Sequence, residues 1–578
     1  MMHQQKLFNR WLLACFWLCI GLYLAVALYS SQASGPAWDD EIEWIGLQDQ
    51  LAYAIAFIRL RASADFESAI ATNLEFYGII NKVAGYWLHG LAHHLGLLHW
   101  ASREWRDSFT GSVAINRLVL IGMFLGLLAS GWRTSVLLNH RRPWITPWLM
   151  VALPALAGNS WMNVKDLPFA LAYSLFSLEL SKRLLAKEQP TFSIAHLLFG
   201  ACAVGCRPTF APVALLSLGL LHGLKAGTAI RVRSREQIMR AVQHVATEGL
   251  ILVACSVLLL PASWANPIVY FQKTIYFHAH HPWGGCMLIH GVCRSVGASY
   301  TTLAYLRDWL GAQLPLLHTV LAGVALAGLI TAIVQTLRCW SNGTGALQTG
   351  CDAGQWLHRH VFILAQWLLV PLLAIISNAN TYDGLRHWLF SLSALCIVSH
   401  GSADWLADLM HFQRSQWGRR LETLLLSSLA AGSLLTCIDY AALAPYSYAY
   451  INEFNRSTLD HRSIDLDYWG LASKQISQEI AKRKWIISNI MDDGSAEHLY
   501  YPRIFLPNQQ FPSSTNVPNV ATVHKRFLSQ AMRLSQHQCD DRFKIIRQLP
   551  HGRMLEIAAV GLNCQSPQPR VAGQQATS

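Results

Sequence analysis

Apolar runs long enough to cross a lipid bilayer recur along this chain, and short basic segments separate them. The first run extends from 11 to 29, directly after Lys6 and Arg10. It is longer than the apolar core of a typical cleaved signal peptide, so it predicts a signal anchor that forms the first membrane span. Similar runs predict spans near 112–131, 143–158, 167–181, 246–264, 314–336, 359–377, 385–402 and 421–441.

The apolar stretch 192–222 allows two interpretations. A single crossing would leave the five basic residues between 225 and 240 outside, although basic residues tend to stay in the cytoplasm. Two short crossings that turn at Arg207 and Pro208 return them to the cytoplasm, even though each leg is shorter than a usual span. We therefore predict about eleven spans, with the N-terminus in the cytoplasm and residues 442–578 outside.

The composition agrees with a membrane protein. Of the residues, 53% are hydrophobic and only 13% are charged, which is too little charge to cover the surface of a soluble protein of this size. The net charge of +12 could indicate nucleic-acid binding, but the Lys and Arg residues lie in short clusters between apolar runs, as membrane topology requires. We predict an α-helical polytopic protein of a bacterial inner membrane, and we exclude nucleic acid as a partner.

The predicted topology places the unusual polar motifs on one side of the membrane. These external motifs are WDDE (38–41), KD (165–166), Arg207, FHAHHPWGG (277–285) and TYDGLRH (381–387). By contrast, no carboxylate lies near the middle of a predicted span, because Glu179 and Glu248 are close to the inner ends. The chain therefore concentrates its reactive side chains at the external surface.

Three parts make up the chain in this interpretation. Residues 1–441 form the transmembrane domain, with a first external loop at 32–111 and a histidine-containing external loop at 265–313. Residues 442–565 predict a small external α/β domain, because the helical pattern of DYWGLASKQISQEIAKRKW is accompanied by the strand-like runs KWIISNI, FKIIRQL and MLEIAAV. Residues 566–578 are expected to be a disordered tail.

An amphipathic helix is expected within the first external loop. The stretch FYGIINKVAGYWLHGLAHHLGLLHW places Lys82, Tyr86, His89 and His93 on one helical face and apolar residues elsewhere. This pattern is typical of a helix at the membrane interface.

Carboxylates, cations and histidines at a membrane surface suit one kind of chemistry. A carboxylate can act as the general base for a hydroxyl, and Lys, Arg and His can neutralise a phosphate leaving group whose charge grows in the transition state. A carboxylate also favours a developing sugar cation. Together these requirements describe glycosyl transfer from a lipid-linked phosphosugar.

The order of the motifs resembles that of polyprenyl-phosphate-dependent glycosyltransferases of the C-type membrane fold, related to protein O-mannosyltransferases and the lipid A aminoarabinose transferase. The resemblance covers about residues 36–470 and rests on WDDE, NVKDLPFALAYSLF, GCRPT, NPIVYFQKTIYFHAHHPWGG, NTYDGLRHWLF, PYSYAYIN and DYWGLASK. It implies that a first-loop acid is the catalytic base and that the external loops hold the donor. It also implies an undecaprenyl or dolichyl phosphate carrier.

The catalytic candidates are Asp39, Asp40 and Glu41. The family usually has a single Asp-Glu pair, whereas this chain has Asp-Asp-Glu. If the pair directly follows the tryptophan, the base is Asp39 and Asp40 replaces the glutamate. If the Asp-Glu pair is kept, the base is Asp40. We favour Asp40, because both residue types are then retained, and keep Asp39 beside it.

The substrate-binding candidates come from the other external motifs. They are Lys165, Asp166, Arg207, His280, His281, Asp383, Arg386 and His387. Each has a simpler explanation: capping of a helix by 165–166 or 383–387, contact with lipid headgroups by Arg207, or an interfacial loop around the histidines. No cofactor is expected. A divalent metal at the histidines is the alternative, although no local carboxylate accompanies them.

Two other classes of function compete with glycosyl transfer. A transporter or flippase of lipid-linked sugars would explain the many spans, but transporters usually place their ion-coupling groups at the membrane midplane. An envelope-assembly protein would bind a partner through residues 442–578. The expected partners are a lipid-linked sugar donor, membrane lipids and an acceptor that is a glycan, a lipid or a protein. The sequence leaves the sugar and the acceptor open.

Overall fold

The computed structural model is mostly helical. In chain order the helices are α1 (Met2–Ala33), α2 (Trp38–Ile58), α3 (Ile80–His94), α4 (Ser108–Leu137), α5 (Ile145–Val151), α6 (Pro154–Ala157), α7 (Asp166–Leu185), α8 (Ile194–Cys206), α9 (Ala211–Ile230), α10 (Arg235–Leu258), α11 (Pro267–Ala279), α12 (Thr302–Gln313), α13 (Leu316–Ser341), α14 (Asp352–Ile376), α15 (Leu389–Leu409), α16 (Gln416–Ala442), α17 (Asn455–Thr458) and α18 (Ser473–Lys482). The structure describes residues 2–35, 37–59, 78–95, 108–186, 193–230, 235–279, 287–289, 292–294, 300–341, 351–410, 416–458, 464, 466, 470–482, 520–521, 539–550 and 554–564.

Within these described ranges, seven helices are long and apolar enough to cross a membrane by length and composition. They are α1, α4, α10, α13, α14, α15 (with the 3₁₀ turn Arg386–Trp388 before it) and α16. Each coincides with or overlaps a predicted span, and together they make the chain a multi-pass membrane protein.

The remaining predicted spans are not among these seven helices. Helix α7 has 20 residues, which corresponds to about 30 Å, but charged residues near its ends lower its hydropathy. The stretch 192–222 forms two helices, α8 and α9, joined by Arg207 and the 3₁₀ turn Pro208–Phe210. This confirms the predicted turn at Arg207, while the two membrane crossings stay a prediction.

The expectation of one continuous helix over 143–158 is wrong. This segment forms two short helices, α5 and α6, which are separated by Ala152 and Leu153, and Pro154 is the first residue of α6. Proline has no N–H to donate and disfavours helical geometry in the residue before it. All residues of both helices are buried, and an interrupted helix is tolerated at membrane depth where protein surrounds it.

The bounds predicted for the span at 246–264 are also wrong. Helix α10 begins at Arg235 and ends at Leu258, and the 3₁₀ turn Pro261–Ser263 follows it. The polar first turns of α10 continue the helix beyond its apolar stretch, because Arg and Glu favour helical geometry as well as leucine does.

Contacts between helix ends agree with the prediction that α4 crosses in the opposite direction to α1 and to α16. At one end of the molecule, Arg117 near the start of α4 donates to the carbonyl of Ser31 at the end of α1, with an N···O distance of 2.8 Å. At the other end, Arg142 after α4 pairs with Glu422 near the start of α16 at 2.8 Å. The sidedness of the helix ends therefore follows the sequence, while the assignment of the two ends to cytoplasm and exterior stays a prediction.

Helices α2 and α3 lie at the end that is predicted to be external. Trp44 of α2 packs against Tyr86 and His89 of α3, with ring centroids 5.6 and 6.4 Å apart. Trp87 and Leu91 on the opposite face of α3 are exposed. The polar face of this amphipathic helix therefore faces the protein, and its apolar face is free to contact lipid. Burial, together with the nearby His93, lowers the pKa of His89 below its ordinary value.

The described part of the C-terminal region contains helix α18 and an antiparallel sheet. Strands β3 (Val520–Ala521) and β4 (Cys539–Gln548) pair with opposite edges of β5 (Met554–Cys564). Thus FKIIRQL and MLEIAAV supply strands β4 and β5, whereas KWIISNI and the tail 566–578 lie outside the described residues. In the histidine-containing loop, β1 (Met287–Ile289) and β2 (Val292–Arg294) form a short hairpin.

Candidate active site

A cleft opens at the predicted external end of the helices. Its volume is about 960 Å³, including its open mouth. The polar lining comes from the start of α7, the turn between α8 and α9, the end of α11 and the segment before α15. The apolar lining includes Phe169, Phe210, Val370 and Phe390. A mostly apolar cleft with a few converging polar groups is the usual form of a small-molecule site.

One wall of the cleft contains three interacting side chains. Arg207 forms an ion pair with Asp166. The Nη2 atom of Arg207 is also 3.4 Å from Nδ1 of His387. The same Nδ1 atom of His387 is 4.0 Å from Oδ1 of Asp166. The three residues come from distant parts of the sequence, so only the folded chain brings them together.

The start of α7 is held by Asn163, which is fully buried. Its Oδ1 accepts hydrogen bonds from the backbone N–H groups of Lys165 and Asp166, at 3.2 and 2.9 Å. Its amide donates to Oδ2 of Asp166 at 2.9 Å. Asn163 thus holds both the backbone at the start of α7 and one carboxylate oxygen of Asp166, and Lys165 and Asp166 both line the cleft.

The turn that precedes α15 also contributes to the lining of the cleft. Asp383 and Gly384 both have positive φ, 62° and 69°, and asparagine, aspartate and glycine are the residues that most readily adopt this conformation. The turn brings Oδ2 of Asp383 to 2.8 Å from Arg386. The guanidinium of Arg386 also lies 5.1 Å from the ring centroid of Tyr382.

Helix α12 braces this turn from behind. The hydroxyl of Tyr305 donates to the carbonyl of Gly384 at 2.5 Å, and Oε1 of Gln313 accepts from the N–H of Leu385 at 3.2 Å. The hydroxyl of Thr302 donates to the carbonyl of Ala379 at 2.7 Å. The arginine and histidine that follow the turn are thus fixed by a neighbouring helix.

The acidic cluster begins helix α2. The N–H of Ala37 donates to Oδ2 of Asp40 at 2.7 Å, an arrangement that satisfies one of the unpaired N–H groups of a helix start. Arg117 lies 3.8 Å from the same oxygen. The side chains of Asp39 and Glu41 lie outside the described residues.

Glu43, one turn after Asp40, connects the acidic helix with the cleft. It forms ion pairs with Lys82 of α3 and, at 2.6 Å, with Lys165. Only 3% of Glu43 and 4% of Lys82 is exposed, so the carboxylate is removed from water between two ammonium groups. Since Lys165 lines the cleft, the first turns of α2 lie directly behind its wall.

The charge around the cleft is slightly positive. Four permanent cations, Lys82, Lys165, Arg207 and Arg386, interact with three carboxylates, Glu43, Asp166 and Asp383. His278 and His387 also line the cleft and can add positive charge. This balance favours an anionic ligand with modest charge, because each carboxylate keeps the nearby cations in place without neutralising all of them.

The structure brings most of the predicted binding residues together. Lys165, Asp166, Arg207, Arg386 and His387 line one cleft, and Asp383 pairs with Arg386 beside it. His280 and His281 lie outside the described residues, although His278 from the same motif lines the cleft. The catalytic role of Asp39, Asp40 or Glu41 stays a prediction.

Four residues with structural importance at the site were not among the candidates. They are Glu43, Lys82, Arg117 and Asn163. A sequence signal exists for Glu43, because it lies three residues after Asp40 and such residues share a helical face. The signal can be used only if a helix is predicted over residues 38–58, and the sequence pattern predicts no helix there.

A second buried polar cluster lies at the opposite end of the helices. Glu248 of α10 forms two hydrogen bonds with Arg183, at 2.7 and 2.8 Å, and lies 3.0 Å from His196 and 3.3 Å from His222. Glu248 is at the centre of the apolar stretch Ile238–Leu258. However, Arg183 and His196 lie within three residues of the ends of α7 and α8, so the cluster is near one end of these helices.

The described part of the chain offers His, Cys, Asp and Glu side chains as possible metal ligands. There, no three side chains of His, Cys, Asp or Glu come together in an arrangement that could hold a metal ion.

Comparisons with known proteins give little further information. No protein-family model matches the chain, and no curated protein matches it. Among solved structures, the crystal structure of ArnT from Cupriavidus metallidurans in the apo state aligns with 94% of this chain and 97% of its own, at 13% sequence identity and a TM-score of 0.42. At that level of similarity the alignment assigns neither a family nor an activity to this chain.

Proposed function

We propose that this protein is a glycosyltransferase that moves a sugar from a polyprenyl-phosphate donor to an acceptor at the external membrane surface. The observation that carries the proposal is the meeting of Lys165, Asp166, Arg207, Arg386 and His387 in one cleft, directly in front of the acidic helix. These residues come from separate sequence motifs.

The cleft suits the two ends of such a donor. Cations and histidines can neutralise the charge that develops on the phosphate as it leaves. The apolar and aromatic lining suits the adjoining isoprenoid units and the face of a sugar ring. The cations thereby supply the charge stabilisation that a metal ion would otherwise give, and we propose that the reaction requires no metal and continues in the presence of a chelator.

The bond changes follow from this arrangement. An aspartate of the first loop, Asp40 or Asp39, removes the proton from an acceptor hydroxyl. The oxygen attacks the anomeric carbon, and the bond between this carbon and the phosphate oxygen breaks. The polyprenyl phosphate leaves with the electron pair, and the configuration at the anomeric carbon is inverted. General-base catalysis of this kind contributes about 10²–10⁴-fold to a rate.

Arg207 provides the direct test of donor binding. In proteoliposomes that contain purified protein and radiolabelled polyprenyl-phosphate sugars, we expect Arg207→Gln to raise the donor KM about 10–100-fold, since a hydrogen bond to a charged group contributes about 1.5–3 kcal/mol. The matched control is Arg307→Gln, because the side chain of Arg307 is 73% exposed on α12. Equal donor KM values for both variants would contradict the proposed binding mode.

A second candidate function is transport or flipping of lipid-linked sugars. It is favoured by one observation, the buried Glu248 cluster, because buried ionisable groups of membrane helices often belong to transport pathways. If the cluster only joins helices, the double variant Arg183→Met with Glu248→Gln keeps the native transfer rate, since it removes both charges together. If the protein moves lipid-linked sugars, the same variant abolishes donor translocation across the vesicle membrane, which a fluorescent donor would report.

A further inference from the structure

The end of helix α1 is held by two cations from distant parts of the chain. The guanidinium of Arg117 donates to the carbonyls of Ser31 and Gly35, at 2.8 and 2.6 Å. The ammonium group of Lys474 donates to the carbonyl of Gln32 at 2.9 Å. The last carbonyls of a helix have no partners within it, and positive charge is favourable there because of the helix dipole.

The C-terminal segment also contacts this place through its backbone. The N–H of Gly35 donates to the carbonyl of Leu471 at 3.1 Å. Gly470, just before this contact, has a φ of 68°, a conformation that glycine adopts without strain. Leu471 and Ala472 are fully buried, and only 8% of Lys474 is exposed. The start of α18 is therefore packed into the membrane domain.

Gly35 is consequently fixed at both of its backbone polar groups. Its N–H contacts Leu471, and its carbonyl accepts from Arg117. The chain then enters α2 at Trp38, and Asp40 lies in the first turn of that helix. The position of the acidic cluster is thus set by the contacts of the residues immediately before it.

The far side of α18 is held as well. Oε1 of Gln475 accepts a hydrogen bond from the hydroxyl of Tyr446 at 3.0 Å. Arg547 of β4 lies 5.2 Å from the ring centroid of Tyr446 and donates to the carbonyl of Ala444 at 3.1 Å. Helix α18 therefore lies between the exit of the last span and the chain that leads into α2.

We propose that Lys474 is a positioning residue for the acidic helix, and that the segment 470–475 fixes the distance between the first-loop acids and the cleft. The proposal rests on the proposed glycosyltransferase function. It gives the C-terminal region a role in the chemical step, although that region lies far from the acids in sequence.

The kinetic test uses Lys474→Met and a control on the same helix. A small misplacement of a catalytic group can lower a rate about 100-fold, so we expect kcat to fall about 10–100-fold while the donor KM stays unchanged. Lys474→Arg restores most of kcat, because it can still donate to the carbonyl of Gln32. Lys482→Met leaves both parameters unchanged, because the side chain of Lys482 is 77% exposed.

A cross-link tests the docking without any assay of activity. Cysteines placed at Gly35 and Leu471 are expected to form a disulfide in intact membranes, whereas either single variant is not. Absence of the cross-link would overturn the docking. A native kcat for Lys474→Met would overturn the positioning role. The same holds if this variant has a lowered melting temperature but its folded fraction has a native kcat. If the wild-type protein transfers no sugar, both the proposed function and the positioning role are wrong. The cross-link then still tests whether the segment is docked at Gly35.

Discussion

Sugar transfer is expected to fall about 10²–10⁴-fold when Asp39 and Asp40 are both replaced by asparagine, because the acceptor hydroxyl then has no general base. Asparagine keeps an oxygen that can accept the hydrogen bond from the N–H of Ala37, so α2 still begins at the same residue. The donor KM is expected to change little, since the residues that we propose to bind the phosphate are unchanged. Initial rates in proteoliposomes at saturating donor measure the effect.

The control for this experiment is Asp49→Asn, an aspartate further along the same helix and partly exposed. It should keep the native rate. The single variants Asp39→Asn and Asp40→Asn then decide which carboxylate is the base, because only one of them should reproduce the full loss. A double variant with native turnover would show that the first-loop acids are not catalytic.

Glu43→Leu is expected to have the largest effect on stability. It removes the carboxylate that lies between Lys82 and Lys165, and loss of one partner from a buried ion pair costs about 3–5 kcal/mol. Thermal unfolding of the purified protein in detergent measures this loss. In whatever fraction remains folded, the donor KM should rise, because Lys165 loses the contact that holds it at the wall of the cleft.

The variant Lys82→Met of the ion-pair partner shows how much of the effect of Glu43→Leu comes from the unpaired charge and how much comes from changed packing. Combined with Glu43→Leu, it should recover part of the lost stability, because the buried ammonium of Lys82 is then absent and only the ammonium of the partly exposed Lys165 still faces the leucine. The matched control is Glu422→Gln, whose ion pair with Arg142 is partly exposed, and such pairs contribute about 0–1 kcal/mol. Equal melting temperatures for Glu43→Leu and Glu422→Gln would contradict the importance of the buried contact.

The spans were predictable where the information is local. A long apolar run predicts a membrane helix by itself, and α1, α4, α13 and α16 lie where such runs occur. The turn at Arg207 was predictable too, because the distribution of basic residues favours two crossings over one. Helices α5 and α6 were not, because their interruption at Pro154 is stable only where the surrounding helices bury it.

Helix α2 shows why part of the candidate site escaped prediction. Its acidic start resembles a solvated loop after a membrane span, and its helical geometry depends on the hydrogen bond between Ala37 and Asp40 and on packing against α3. Without that helix, Glu43 has no defined direction. Its contacts with Lys82 and Lys165 join residues from three separate segments, and nothing in their spacing indicates them.

The sequence by itself determined a polytopic helical chain and the residue types of a candidate anion-binding site at the membrane surface, because hydropathy and the distribution of Lys and Arg act over short stretches. Only the tertiary structure decided that Arg207, Asp166 and His387 share one cleft wall, that Glu43 ties the acidic helix to it, and that Lys474 reaches the end of α1. These contacts form between distant segments, since removing a charge from water inside the protein is tolerated only where the packed helices supply an opposite charge or a carbonyl.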